Sequence, residues 1–419
     1  MTSPAAVPES QPASAPPGVA SRVAAALTHR DFRLLWFGAF ASTIGTWVQK
    51  AAQSWLVLTL TGSAFYLGLD QFLGELPILL FTLIGGVVAD RHSRRHLLLG
   101  SQYVQMGCAF VLMLLVYLDR VHIWHILALS FTAGTAQAFG GPAYQSLIPQ
   151  LVPKSDLPNA IALNSIQFNL ARVIGPLVAG AAMATLGIAL CFGLNGLSFL
   201  FVIGALLALR LQHLPPGSRQ PLLDEMRGGL RYVRRERSLI ALTVLGFTTT
   251  FLGQSLLTFL PVFAKDVLGQ GVEAYTRLLA FSGAGAVTGA LVVAWLGRFE
   301  HMGKTLLVAQ VAFGLLMVAF AASRVLWLSW LILFVAGAAM IAVFSLITSL
   351  VQLIAPNEMR GRVMSIYMVA FRGGSPLGGL LSGYLASVLS APIVIALNGG
   401  ALTLVAVYVL MRRQSIRAL

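Results

Sequence analysis

Long apolar stretches alternate with short polar segments along almost the whole chain. A helix that spans a bilayer needs about 20 mainly apolar residues. Seven predicted spans contain no Asp, Glu, Lys or Arg, among them 97–118, 188–209, 305–322 and 391–411. The other predicted spans lie within 34–59, 66–89, 121–153, 159–184, 239–263, 277–297, 325–355 and 363–387. The pattern therefore predicts an all-α membrane protein with twelve transmembrane helices.

The longest polar segment, residues 210–238, separates six predicted spans from six others. The two sets resemble each other, since Arg172-Val-Ile-Gly-Pro176-Leu177 in the fifth span matches Arg372-Gly-Gly-Ser-Pro376-Leu377 in the eleventh. Such a match indicates two pseudo-symmetric six-helix bundles that arose by duplication. The predicted domains are a disordered cytoplasmic tail at 1–30, bundles at 31–210 and 239–411, a cytoplasmic linker with an amphipathic helix at 211–238, and a cytoplasmic tail at 412–419.

Charged side chains make up only 10% of the chain, against about 25% in soluble domains, and 57% of its residues are hydrophobic. So few charges cannot cover the surface of a soluble protein of this length. The net charge of +14 does not indicate a nucleic-acid partner, because the basic residues cluster between the apolar stretches. With both termini in the cytoplasm, the inner segments carry 21 Lys and Arg and the outer loops four, as the positive-inside rule requires. We expect a monomeric multi-pass protein in the lipid bilayer of the plasma membrane.

The segment between the second and third spans is Gly86-Val-Val-Ala-Asp90-Arg91-His92-Ser93-Arg94-Arg95. It resembles the signature of the major facilitator superfamily for this loop, with Ser93 in the place of the second glycine. Three more stretches are similar to the bacterial efflux branch of enterobactin exporter-like permeases: Trp47-Val-Gln-Lys-Ala-Ala-Gln-Ser-Trp55, Gly140-Gly-Pro-Ala-Tyr144 and Gly229-Leu-Arg-Tyr-Val-Arg-Arg-Glu236. The resemblance implies a secondary transporter that works by alternating access, needs no cofactor and exports a small amphipathic molecule.

The same resemblance assigns roles to the loop and to two proline positions. It implies a conformational switch formed by Gly86, Asp90, Arg91, Arg94 and Arg95. Asp90 would contact the start of the eleventh span, and the alternative is that this loop only determines topology. Gly175 and Pro176 are similar to the helix-bend motif of the superfamily's antiporters, although Ala179 replaces a glycine of that motif, and Pro376 holds the equivalent position in the eleventh span. These features imply proton-coupled export, with simple helix packing as the alternative.

Apart from Arg277 at the edge of its span, five charged residues lie inside predicted spans: Lys50, Asp70, Glu75, Arg172 and Arg372. A charge at the bilayer centre costs about 2.5–3.5 kcal/mol, so these side chains should face the interior of the protein. Lys50 and Glu75 are almost equally far from the turn near Gly62, so we expect them to pair at one depth. Glu75 is therefore the first proton-coupling candidate, with a static ion pair as the alternative. Asp70 is the second candidate and is expected to be hydrated near the outer mouth.

Polar residues recur at helical spacing in the first span, around Lys50, and in the seventh. By the resemblance, both helices line the central cavity. The candidate substrate-binding residues are Lys50, Gln49, Gln53, Arg172, Arg372 and Gln254. The excess of basic groups favours an anionic or phenolate-bearing substrate. Alternatively, the amides join neighbouring helices and the arginines bind backbone carbonyls near the proline bends.

Motifs of catalytic and metal sites are not present in the sequence. Cys108 and Cys191 both lie in apolar stretches, and no His-Glu-x-x-His motif occurs, so we predict neither a metal site nor catalytic residues. Gly283-Ala-Gly285-Ala-Val-Thr-Gly289 has one residue too many for a dinucleotide site, and Gly285 and Gly289 favour close helix packing instead. The alternatives to an exporter are a membrane sensor, an intramembrane enzyme, and a facilitator or importer of the same fold.

Overall fold

The computed structural model describes residues 25–91, 93–210, 230–356 and 358–412. Most of the predicted tails and of the predicted linker, residues 1–24, 211–229 and 413–419, lies outside these ranges. Within the described ranges there are twelve long helices and no strand. In chain order these helices are α1 Arg30–Thr61, α2 Ala64–Arg91, α3 Arg94–Tyr117, α4 Ile123–Leu147, α5 Leu157–Thr185, α6 Ile188–Ala208, α7 Arg237–Thr258, α8 Val272–Leu296, α9 Met302–Ala322, α10 Leu326–Ile354, α11 Arg360–Val388 and α12 Ala391–Arg412.

The turn between α1 and α2 shows how the chain reverses. α1 ends because Gly62 adopts a left-handed conformation with φ of 61°, and its N–H donates to the carbonyl oxygen of Leu58. Short connections of this kind make successive helices antiparallel. We call the side where Arg30 and Arg412 lie the terminal face, and the side where Gly62 lies the far face.

Nine of the helices in the described ranges are long and apolar enough to cross a membrane, by length and composition. α1, α4 and α11 are not among them. α1 carries Gln49, Lys50 and Gln53, and α11 carries Arg372, so polar groups at mid-helix lower the apolar content. The prediction of an all-α membrane protein is confirmed, while the number of twelve spans stays a prediction.

Helix packing follows one pattern twice. In the first half, α1 packs against α5 and α6, α2 against α4, and α3 against α4 and α6. In the second half, α7 packs against α11 and α12, α8 against α10, and α9 against α10 and α12. The halves meet where α2 packs against α11 and α5 against α8, two pairs that the repeat makes equivalent.

Small residues allow several of these helices to pack backbone to backbone. A Cβ atom at Gly285 would overlap the carbonyl oxygen of Phe334, and one at Gly289 would overlap that of Ala338, so α8 and α10 are in direct backbone contact there. The interpretation of these two glycines as helix-packing positions is confirmed. Close contact of this kind is how membrane helices gain dispersion energy without a hydrophobic driving force.

The buried apolar side chains are distributed differently at the two faces. Toward the far face they form one cluster that contains residues of both halves, such as Phe192 and Phe320. Toward the terminal face they form two clusters, one around Leu206 in the first half and one around Leu346 in the second. The halves therefore share a core at the far face and have separate cores at the terminal face.

Candidate functional site

Asp70 of α2 lies at the centre of a hydrogen-bonded group inside the first half. The side-chain amide of Gln53 on α1 donates to both carboxylate oxygens, at 2.9 and 2.8 Å. The hydroxyl of Ser130 on α4 donates to Oδ1 at 2.5 Å. All three contacts suit a carboxylate that accepts hydrogen bonds. The expectation that Asp70 is simply hydrated is therefore wrong.

The hydrogen bonds continue from Gln53 to α6. Gln49 Nε2 lies 3.4 Å from Gln53 Oε1, Asn195 Nδ2 lies 2.6 Å from Gln49 Oε1, and Ser198 Oγ lies 3.2 Å from Asn195 Oδ1. Along this series of hydrogen bonds, every donor lies on the side away from Asp70 and every acceptor on the side toward it. The bonds therefore polarise one another in the same direction. We call the set Gln49, Gln53, Asp70, Ser130, Asn195 and Ser198 the Asp70 network. It joins α1, α2, α4 and α6 to one carboxylate.

Glu75 and Lys50, predicted to pair, form no ion pair in the part of the chain that the structure describes. Glu75 is partly buried, whereas Lys50 is exposed and its Nζ lies 5.4 Å from the centre of the Trp47 ring. Counting residues from the turn gives the height of a side chain along its helix but not the direction in which it points. Five residues turn a helix by about 140° beyond a full turn, so when Asp70 faces α1, Glu75 of the same helix faces elsewhere.

Arg172 of α5 approaches the same ring as Lys50. Its Cζ lies 5.8 Å from the centre of the Trp47 ring, and Phe168, one turn earlier on α5, makes an edge contact with that ring at 6.2 Å. Arg172 has no hydrogen bond or ion pair with another described residue, so the alternative that it binds carbonyls near the proline bend is wrong. Two cations therefore lie over the Trp47 ring.

Two other candidate residues stay outside these groups. Arg372 is exposed and pairs with none of the described side chains. Gln254 is partly buried, and its side-chain amide forms no hydrogen bond with a described residue, although its backbone carbonyl accepts one from Thr258 at 3.1 Å. The symmetry that relates Arg172 to Arg372 in the sequence therefore does not extend to their surroundings.

The proline positions lie inside continuous helices at contacts between α1 and α5 and between α7 and α11. Pro176 and Pro376 are both buried. A Cβ atom at Gly175 would overlap Cβ of Trp47, and one at Gly374 would lie 2.7 Å from the carbonyl oxygen of Phe247. These glycines bring α5 onto α1 and α11 onto α7. The predicted bend at each proline stays a prediction.

The residue after Asp70 links the two halves. Gln71 Nε2 donates to Ser375 Oγ of α11 at 3.2 Å, and Gln71 Oε1 accepts a hydrogen bond from Thr258 of α7. Gly68 of α2 packs against Gly379 and Gly383 of α11 at the far ends of both helices. Consecutive residues of α2 therefore contact different halves, Asp70 the first and Gln71 the second.

Residues 21–419 match the family described as transmembrane secretion effector. The chain belongs to this family of the major facilitator superfamily. Macrolide efflux protein A of Streptococcus pyogenes is 25% identical over 366 residues, which are 84% of this chain and 88% of that protein. Multidrug efflux pump Tap of Mycolicibacterium fortuitum is 27% identical over 363 residues, with 84% and 88% covered. Enterobactin exporter EntS of Citrobacter koseri is 25% identical over 386 residues, with 92% of both chains covered.

Solved structures of transporters share the fold of this superfamily member. A bacterial homologue of the human lysosomal transporter Spinster, in an inward-facing and unoccupied conformation, has a TM-score of 0.69 at 16% identity and covers 94% of this chain and 96% of its own. The peptide transporter PepTSo has a TM-score of 0.74 at 14% identity, with 93% and 98% covered. The family and the curated relatives make the chain a multi-pass membrane efflux transporter of small molecules, and not an enzyme.

The signature loop of this efflux transporter is fixed to the first half by its arginines. Arg94 Nη1 lies 3.2 Å from the carbonyl oxygen of Ser146, and Arg95 Nη2 lies 2.8 Å from that of Leu207, so both cations bind carbonyls at the carboxyl ends of helices. A Cβ atom at Gly86 would meet nothing within 4 Å. The side chains of Asp90 and Arg91 lie outside the described part of the structure, and the switch role of this loop stays a prediction.

The efflux transporter's polar interior consists of amides, hydroxyls, carboxylates and cations. Among the described residues, no group of three or more His, Cys, Asp or Glu has the arrangement of a metal site. Cys108 and Cys191 are free and buried. Ser130, Asn195 and Gln71 were not predicted from the sequence, although Asn195 is the one side-chain amide in the charge-free stretch 188–209.

Proposed function

We propose that this transporter exports a small amphipathic molecule in exchange for protons, by alternating access between the two halves. One observation carries the proposal: the halves share a core at the far face and have separate cores at the terminal face. A rigid-body movement of one half against the other can open the far face only by dividing that shared core. The distribution of Lys and Arg favours a cytoplasmic terminal face, and in that orientation the structure corresponds to an inward-facing state.

The Asp70 network supports Asp70 as the proton-coupling residue, ahead of Glu75. An ionised Asp70 accepts hydrogen bonds from Gln53 and Ser130. A protonated Asp70 has a hydrogen to donate, so one of these partners must reorient to accept it. Reorientation of Gln53 breaks its alignment with Gln49 and so changes the contact between α1 and α6. Glu75 has no comparable set of partners among the described residues.

Neutral substitutions of the two acids test the coupling in proteoliposomes. Erythromycin, enterobactin and naphthalene-2-sulfonate serve as probes, because relatives are named for macrolide efflux and for enterobactin export. Asp70→Asn keeps size and hydrogen bonding but cannot titrate. We expect it to retain downhill exchange of a transported probe and to lose export driven by a pH gradient by at least tenfold, while the control Glu75→Gln retains both activities.

Three results would contradict this proposal in different ways. Gradient-driven export that survives in Asp70→Asn removes Asp70 from coupling. Loss of that export in Glu75→Gln alone assigns the proton to Glu75. Wild-type protein that equilibrates a probe but never concentrates it against a gradient is a facilitator.

A further inference from the structure

We propose that Trp47, Lys50 and Arg172 form a subsite for aromatic anions, in which the indole stacks on the ring of the substrate and the two cations bind its carboxylate, sulfonate or phenolate. The inference deepens the proposed export function and rests on it, because it names the substrate class. We call these three residues the anion subsite.

Both cations of the anion subsite lie over the Trp47 ring. Lys50 Nζ and Arg172 Cζ lie 5.4 and 5.8 Å from the centre of the Trp47 ring, within the range of a cation–π contact. Phe168 lies beside this ring and is 53% exposed. A flat aromatic substrate can therefore contact two apolar rings while its charged group reaches the cations.

The cations lack acids of their own. Both carboxylate oxygens of Asp70 are occupied by Gln53, and Asp70 acts on Lys50 only through space. Glu75 forms no ion pair with any described residue. An unpaired cation inside a membrane protein is unfavourable until an anion reaches it. A guanidinium also offers two parallel N–H donors, the geometry that carboxylate and sulfonate groups accept.

A second arginine on a tryptophan provides the contrast. Arg277 Cζ lies 5.9 Å from the centre of the Trp330 ring, so the cation–π geometry is nearly the same as at Arg172. Arg277, however, forms an ion pair with Glu273 on the same helix. Arg277 is thus paired with an acid, whereas Arg172 is paired with none of the described residues, and this difference points to a ligand as the missing anion.

The position of the anion subsite fits a transport role. The backbone carbonyl oxygen of Arg172 would lie 3.0 Å from a Cβ atom at Gly283 of α8, so Arg172 lies where the two halves meet. Gly175 holds Trp47 tightly against α5, which limits the freedom of the ring before a ligand binds. A subsite at this interface changes its surroundings whenever the halves move.

Three naphthalene probes that differ only in charge test the substrate class. Naphthalene-2-sulfonate is anionic, naphthalen-2-ylmethyl-trimethylammonium is cationic and 2-naphthalenemethanol is neutral. Binding is measured by calorimetry on the full chain in nanodiscs. We expect the wild-type protein to bind the sulfonate at least tenfold more tightly than the other two probes.

Variants then separate the contribution of the charge from that of the aromatic ring to probe binding. We expect Arg172→Gln to weaken sulfonate binding at least tenfold and to leave the neutral probe unchanged. Arg172→Lys keeps the charge but not the paired donors, so it should lose less than Arg172→Gln. Trp47→Leu should weaken all three probes. Arg277→Gln is the matched control and should change no affinity, and thermal unfolding confirms that each variant is folded.

Two results would overturn the inference. One is a wild-type preference for the cation or for the neutral probe. The other is an equal loss for all three probes in Arg172→Gln, with the same loss in Arg172→Lys, since a merely structural arginine gives that pattern. The binding assay does not depend on transport, so the anion subsite can be confirmed even when gradient-driven export fails. Conversely, export of a cation would support the proposed function and refute the anion subsite.

Discussion

The close contact between α2 and α11 predicts that one methyl group opens the far face. A Cβ atom at Gly68 would overlap the carbonyl oxygen of Gly379 and lie 3.0 Å from Cα of Gly383, whereas ordinary contact begins at 3.4 Å. The neighbouring atoms are backbone, so no flexible side chain can move aside. Gly68→Ala therefore requires α2 and α11 to separate by roughly 1 Å in a close-packed interface.

The energetic size of this change follows from its place between the halves. Overpacking of a close-packed contact costs about 1–3 kcal/mol. This contact exists only while the far face is closed, so the cost falls on the closed state and shifts the equilibrium toward the open one. Each 1.4 kcal/mol is about tenfold, which gives a shift of roughly five- to 150-fold.

Spin labels at Leu186→Cys and Leu389→Cys report this shift, because both positions are exposed in far-face turns of different halves. The native cysteines are buried and should not be labelled. We expect Gly68→Ala to add or enlarge a population with a long distance between the two spin labels, measured by pulsed electron–electron double resonance. Gly74→Ala is the control on the same helix, since its added Cβ atom has 4.0 Å to the nearest neighbour. Identical distance distributions for wild type, Gly68→Ala and Gly74→Ala would refute the assignment of this contact to the closed state.

Two further changes follow from the hydrogen bonds. Gln71→Leu removes the bonds to Thr258 and Ser375, together worth about 2 kcal/mol, so the same spin-label pair should show a larger open population. Gln105→Leu is the control, because its lost bonds stay within the first half, and it should leave the open population unchanged. Equal effects of both variants would contradict the role of Gln71. Asn195→Ala leaves Gln49 Oε1 without its donor and should destabilise the protein by about 1–3 kcal/mol in thermal unfolding. The control Asn169→Ala removes only a bond to its own helix and should leave the unfolding midpoint nearly unchanged. An unchanged midpoint in Asn195→Ala would show that the bond to Gln49 adds no stability.

Helix positions could be predicted from the sequence because apolar stretches of membrane-spanning length are a strong signal. The stretch 188–209 corresponds to α6, Ile188–Ala208, and 391–411 corresponds to α12, Ala391–Arg412. The interaction partners of the charged residues inside the membrane were harder to predict. Counting residues from Gly62 gives the height of a side chain, but its direction depends on how the helices rotate against each other. That is why the predicted Lys50–Glu75 pair is not formed among the described residues.

The two halves repeat in architecture but differ in chemistry, and this difference limits where a proton can act. In the second half, Asn398 of α12 donates to Ser255 Oγ at 2.9 Å and to Ser382 Oγ at 3.0 Å, so its acceptors are hydroxyls that stay neutral at any physiological pH. In the first half, the equivalent amide of α6, Asn195, leads to a carboxylate. If the proton binds at Asp70, as we propose, it changes helix contacts in the first half alone. The effect then reaches the second half through α2, which carries the carboxylate and also packs against α11.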